Sequence, residues 1–197
     1  MVTQELRDLD IRRELLSRLR DEHAGNLGDT LIVDELGICQ GERRVDVAVV
    51  NGSLAGFEIK SERDTLVRLG HQRDAYGLVF DEVTLVVGAR HLKAARDVVP
   101  RWWGIMVATG QRGDVTLSLK RQPKRNRRTS DYAVAQLLWR DEALAILEKH
   151  SLDAGLRTKP RAQLWRALAE VLNPVELRRE VRDHLRARAW RAVSSPQ

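Results

Sequence analysis

The chain has 197 residues, 43% hydrophobic and 31% charged, which suits one cored domain or a domain with a small appendage and argues against global disorder. The net charge is +6, and 28 of the 34 bases are arginine, a bias that GC-rich coding and a phosphate-contacting surface would each explain. One cysteine excludes a disulfide framework or a cysteine-rich zinc site, the five histidines lack metal-binding spacing, and no apolar run approaches the ~20 residues of a membrane span.

In chain order, Leu6, Ile11, Leu15, Leu16 and Leu19 recur at helical spacing and predict an amphipathic helix over residues 3–23, ended by Gly25 and Gly28. This charged start lacks the pattern of a signal peptide, so the expectation is a cytoplasmic protein with no membrane contact. Three strand-like runs follow at 31–39, 45–50 and 56–60, the last two joined by Asn51-Gly52, a hairpin signal. Their close spacing requires antiparallel neighbours. Ser61 is a candidate cap for a helix through Leu66, Leu69, Arg73 and Tyr76 to Gly77. A strand at 83–87 comes next, and the intervening helix acts as a crossover that lets strands three and four run parallel. A short helix at 91–99 and strands at 105–108 and 115–119 complete this part.

Charge then changes sign along the chain: residues 1–118 carry a net −3 and residues 119–197 a net +9. The changeover runs from Lys120 through Arg121, Lys124, Arg125 and Arg127 to Arg128, reads as an exposed basic connector and is a candidate phosphate contact. Helices are expected at 131–150, 159–172 and from Pro174 to about 191. The predicted organisation is a core at 1–119, a connector at 120–130 and a basic helical domain at 131–197. Trp139, Trp165 and Trp190 fall among helical apolar positions and read as core. Trp102 and Trp103 read as packing, with base stacking as the alternative.

The residues richest in chemistry are Asp46, Glu58 and Lys60. Glu58 and Lys60 are two apart on one strand and share a face, and the hairpin can bring Asp46 alongside. Paired carboxylates repel unless a cation lies between them, and oxygen-only ligands favour Mg²⁺ or Mn²⁺. A lysine beside them can stabilise developing phosphate charge or orient a water. A solvated Glu–Lys pair on a polar strand face is the competing reading. Against it, both charged positions interrupt strongly apolar strands, where a charge calls for compensation.

Strand Asp46, then Glu58-Ile59-Lys60, then a helix and an apolar strand resembles the PD-(D/E)XK nuclease superfamily over about residues 3–90. The helix after the E-x-K carries Gln72 and Tyr76, similar to the Q-xxx-Y of RecB-like and lambda-exonuclease-like members. The proline of the family name is absent, Val45 standing before Asp46. The resemblance implies an α/β restriction-endonuclease-like core of helix, three antiparallel strands, helix and strand, which the small all-helical C-terminal part read from periodicity would follow. It implies a DNA nuclease with Asp46, Glu58 and a further acid, best filled by Glu35, holding Mg²⁺ (or Mn²⁺), Lys60 assisting, and Gln72 and Tyr76 supporting. Asp64 reads as a cap-region acid and His71 as solvated. Residues 140–172 have a faint similarity to SAP-type helix-hairpin DNA-binding modules; a helical cap on the core is the competing reading. A DNA-binding or partner-binding protein that keeps the fold without the chemistry is the alternative function, and a homodimer stays open.

Overall fold

The computed structural model describes residues 6–67 and 69–193, with side chains as far as residue 188. The start of the first expected helix and the Trp190 side chain therefore lie outside the described residues. The chain runs α1 (Asp8–Glu22), β1 (Leu31–Ile38), β2 (Arg43–Val50), β3 (Leu54–Lys60), α2 (Leu69–Val79), β4 (Glu82–Gly88), α3 (Leu92–Val98), β5 (Gly104–Gln111) and β6 (Asp114–Arg121). Helices α4 (Asp131–Ala135), α5 (Arg140–Lys149), α6 (Arg161–Val171) and α7 (Pro174–Val193) follow.

The result is a mixed α/β fold around one six-stranded sheet, ordered β1 to β6 as in sequence. The first three strands are antiparallel neighbours, β3, β4 and β5 are parallel across their helical crossovers, and β6 returns antiparallel. The Asn51 turn forms as expected, the Asn51 side chain accepting from the Ser53 N–H at 3.0 Å. Helix α2, by contrast, starts eight residues after Ser61. Ser61 caps no described helix: its N–H and hydroxyl both donate to Asp64, at 2.7 and 2.6 Å, and its oxygen accepts from the Arg63 N–H at 3.3 Å, closing a local turn instead.

Both sheet faces are covered. On one face Ile11, Leu15 and Leu19 of α1 bury against Val47, Val49, Phe57, Ile59 and Val86. On the other, α2 and the C-terminal helices share one core with Val45, Ala48, Val50, Leu85 and Val87. Buried residues of α4 to α7 thus belong to the same cluster as β2, α2 and β4. The expected helix at 131–150 breaks into α4 and α5 around Gln136–Trp139. The connector is also less free than its composition suggests. Asn126 is buried and its amide donates to the Gly77 and Phe80 carbonyls at 2.7 and 3.0 Å, satisfying the end of α2.

Candidate active site

One position breaks the strand alternation. Val45 belongs to the core under α2, but Val47, two residues on, belongs to the core under α1. The reversal falls on Asp46. Opposite it on β1, Glu35 has left-handed backbone (φ 61°), and neither residue joins the β1–β2 pairing that holds on both sides. On the other flank the β2–β3 ladder ends at Val47–Phe57, and the next free N–H, that of Ile59, donates to the Asp46 carboxylate at 2.7 Å. A side chain has replaced a ladder carbonyl, as happens where irregular strands re-aim a residue at a site. Regular pairing of β2 thus stops on both sides at Asp46, a notch in the ladder between Asp46 and the end of β3.

Glu58 stands in the notch wall, 2% exposed. Its Oε1 accepts from Lys60 Nζ and from Gln72 Nε2 at 2.6 Å, and its Oε2 accepts from the Tyr76 hydroxyl at 2.5 Å. The helical spacing of Gln72 and Tyr76 puts both on the α2 face that turns toward Glu58 and the Arg44 carbonyl. Tyr76 is fully buried, stacked on Trp103 and edge-on to Phe80, so its oxygen is fixed. That hydroxyl also faces the Arg44 carbonyl at 2.8 Å, so one hydrogen serves two acceptors. Protonation of Glu58 would relieve the competition. Burial, with Asp46 nearby, pushes the Glu58 carboxyl above the ordinary range despite Lys60 and Tyr76. Burial beside Glu58 pushes the Tyr76 hydroxyl up as well, keeping it a neutral donor. Gln72 Oε1 is buried and has no hydrogen-bond partner.

Asp46 has a companion that sequence reasoning missed. Arg12 of α1, 12% exposed, donates to Asp46 Oδ1 and Asp34 Oδ1 at 2.7 Å each, to the Asp46 carbonyl at 2.8 Å and to Asp8 at 3.2 Å. These contacts hold the guanidinium firmly charged against its burial. Asp8 sits one turn earlier; burial, with Asp46 and Asp64 nearby, raises its carboxyl despite Arg12. Asp8 is therefore the α1 acid that comes nearest the site. The signal was present as an i, i+4 acid–arginine pair flanking the buried Ile11, although such pairs more often lie on solvent faces.

The five expected catalytic residues Asp46, Glu58, Lys60, Gln72 and Tyr76 therefore converge. Glu35 does not join them: its carboxylate pairs with the exposed Arg44 at 2.6 Å. His71 is exposed on α2. Among the described residues no three His, Cys, Asp or Glu side chains form a closed metal cage.

The basic residues lie elsewhere. Arg121 spends its guanidinium on the Trp103 and Pro100 carbonyls at 2.7 and 3.0 Å, so it buttresses the β5–β6 edge. Lys120, Lys124, Arg125, Arg127 and Arg128 are exposed. The Asn126 N–H binds the Asp81 carbonyl, which ties the connector to the start of β4. Lys60 pairs with Val87 near the end of that strand, so connector and notch are separated by ~20 Å of sheet. Arg125 there joins Arg178 and Arg182 around a cleft of about 370 Å³. Trp103 and Trp165 are buried as expected, but Trp139 is 60% exposed, because the break before α5 turns it outward.

The family model described as Bacteriophage P4 protein cII matches residues 1–194. Protein cII of Enterobacteria phage P4 is 26% identical over 147 residues, covering 75% of this chain and 55% of its own length. The chain thus spans about half of that relative. A solved structure of a protein of unknown function from Silicibacter pomeroyi is similar with a TM-score of 0.41 and 15% identity, over 72% of this chain and 86% of the other.

Proposed function

The chain belongs to the bacteriophage P4 protein cII family, and on the geometry of its notch we propose that it is a metal-dependent nuclease acting on DNA phosphodiester bonds, with a restriction-endonuclease-like core. The observation that carries this reading is Glu58. It is a carboxylate almost wholly buried, held by Lys60, Gln72 and Tyr76 and set against Asp46, beside a break in the β1–β2–β3 ladder.

The donors fit a hard divalent cation. Asp46 and Glu58 offer carboxylate oxygens with lone pairs left over from their hydrogen bonds. Gln72 Oε1 adds a buried acceptor with no partner. Mg²⁺ is commonly held by one or two carboxylates plus waters and substrate phosphate, so a full protein cage is not required. Bound by Asp46 and Glu58, Mg²⁺ or Mn²⁺ would supply Lewis-acid stabilisation of phosphate charge. Lys60 places positive charge beside the scissile phosphate or orients the attacking water. Tyr76 and Gln72 fix the Glu58 carboxylate. Arg12 orients Asp46 and limits the repulsion between the two acids. The exposed bases of the connector contact backbone phosphates without reading sequence.

A second reading has one observation in its favour. All four oxygens of Asp46 and Glu58 already accept hydrogen bonds, as they would in a protein that keeps the fold and binds DNA or a partner without cutting. The two readings separate in one assay. Purified protein degrades or nicks DNA with Mg²⁺ or Mn²⁺, and Lys60→Ala abolishes this while circular dichroism stays unchanged. Activity surviving in the Asp46→Ala, Lys60→Ala double variant would refute the site. Salt-sensitive DNA binding without cleavage in any divalent metal would establish the second reading.

A further inference from the structure

We propose that the cleft between the β1–β2 turn and helices α5–α7 binds an unpaired nucleotide of single-stranded DNA stacked on Trp139; as a substrate-feeding site, this rests on the nuclease reading above. Among the described residues Trp139 is the one exposed aromatic side chain. Leaving that much apolar ring in water is unfavourable, yet the ring is held rigidly. Its backbone N–H donates to Glu142 at 2.7 Å, and the Arg188 guanidinium lies 4.3 Å from the ring centroid. Arg188 is itself fixed by both Glu142 oxygens and by the Leu137 carbonyl. The indole is thus backed by a cation and open to a second planar group. Little conformational entropy remains to be lost when a base stacks there.

The adjoining cleft has a volume of about 510 Å³, within the range of small-ligand sites. Gln40 and Gln136 offer amide edges, and Arg140, Arg161 and Arg188 bring positive charge. Among the described residues no carboxylate lines it. Its rim turn is unusual: Cys39, Gln40 and Gly41 all have positive φ (50°, 60° and 91°), and Gln40 is held there by Arg161 at 3.3 Å. Strained backbone of this kind gathers at ligand sites. Stacking platform, amides and guanidiniums together match base, base edge and phosphate.

The cleft also lies on the correct side of the sheet. Its wall includes Leu36 and Gly37, and Gly37 pairs with Arg44, whose carbonyl shares the Tyr76 hydroxyl with Glu58. Cleft wall and Glu58 are two strand spacings apart, on the order of 10 Å. The arginine cleft beside Asp81 lies at the far end and has no exposed aromatic lining it. It could take phosphate but could not stack a base.

The test is fluorescence anisotropy of the full chain, without divalent metal, on labelled oligothymidylate and on a duplex of equal length. The expected result is tighter binding of the single strand, with quenched tryptophan emission. Trp139→Ala should weaken single-strand binding roughly tenfold and leave duplex binding unchanged, while Trp139→Phe keeps most of the affinity. Equal affinity for both forms, an unchanged Trp139→Ala, or a Phe variant as weak as the Ala variant would overturn the proposal. Trp139-dependent binding without any DNA cleavage would sink the nuclease reading and leave this site standing. Cleavage with no Trp139 dependence would do the reverse.

Discussion

Glu58 and Glu142 are both nearly buried, 2% and 7% exposed, yet their surroundings move them in opposite directions. Glu142 caps α5 by accepting from the Trp139 N–H and receives a bidentate guanidinium from Arg188. Burial opposes its charge, but those hydrogen bonds outweigh it and hold the carboxyl below the ordinary range. Glu58 has an ammonium, an amide and a phenol, but burial, with Asp46 nearby, outweighs them and raises its carboxyl. Glu142 therefore resembles a structural ion pair, satisfied in full. Glu58 is a charge kept at a cost to folding, the condition expected where a group is held for chemistry.

The comparison is sharpened first by activity. Glu58→Gln should lower the DNA cleavage rate by about 10³-fold, the scale of losing a group that organises transition-state charge. Glu142→Gln, which touches none of Asp46, Glu58 and Lys60, should slow cleavage far less in a gel-based assay, and only through looser seating of Trp139 and Arg188. In stability the order reverses. Glu142→Gln removes one partner of a buried pair and should cost ~2 kcal/mol by urea unfolding. Glu58→Gln removes a charge that burial and Asp46 disfavour, so it should be at least as stable as the parent at neutral pH.

The pH dependence should separate the two residues further. Glu142, held below its reference value of 4.5, contributes stability above that pH and loses it as pH falls through its folded value. Glu58, raised above 4.5, carries no penalty below that pH and an increasing one as pH rises toward its folded value. In thermal melts across pH, the Glu142→Gln deficit should shrink on the acid side, and the Glu58→Gln advantage should grow above pH 4.5.

Smaller effects come from the supports. Tyr76→Phe leaves the aromatic stack with Trp103 but removes the donor shared by Glu58 and the Arg44 carbonyl. It should slow cleavage about tenfold and cost ~1 kcal/mol, one hydrogen bond's worth. Glu35→Ala should be the weakest change, within ~0.5 kcal/mol and without effect on metal dependence, because its exposed pair with Arg44 contributes little. A large loss of metal affinity in Glu35→Ala would restore it to the site.

The chemistry-bearing strand residues were legible because a charge inside an apolar strand is conspicuous at a spacing of two, and Gln72 and Tyr76 at a spacing of four. The hairpins and the parallel crossover followed from loop lengths. What stayed hidden depended on tertiary geometry. The placement of Glu35 depends on its left-handed backbone and its pairing with Arg44, neither of which the sequence shows. Arg12 is one of 28 arginines, and its i, i+4 pairing with Asp8 is a signal it shares with ordinary solvent-facing pairs. Trp139 sits at apolar helical spacing, yet the chain breaks before it and exposes the ring. Asn126 looks like linker until the orphan carbonyls at the end of α2 are in place.

The most direct measurement is thermal unfolding of the parent and of Glu58→Gln at neutral pH, each with and without Mg²⁺. If Glu58 is a carboxylate held for a metal, Mg²⁺ raises the parent's melting temperature by binding the folded state. Glu58→Gln then melts no lower than the metal-free parent and does not respond to Mg²⁺. A parent indifferent to Mg²⁺, together with a Glu58→Gln variant that melts lower, would contradict the account and make Glu58 a structural partner of Lys60.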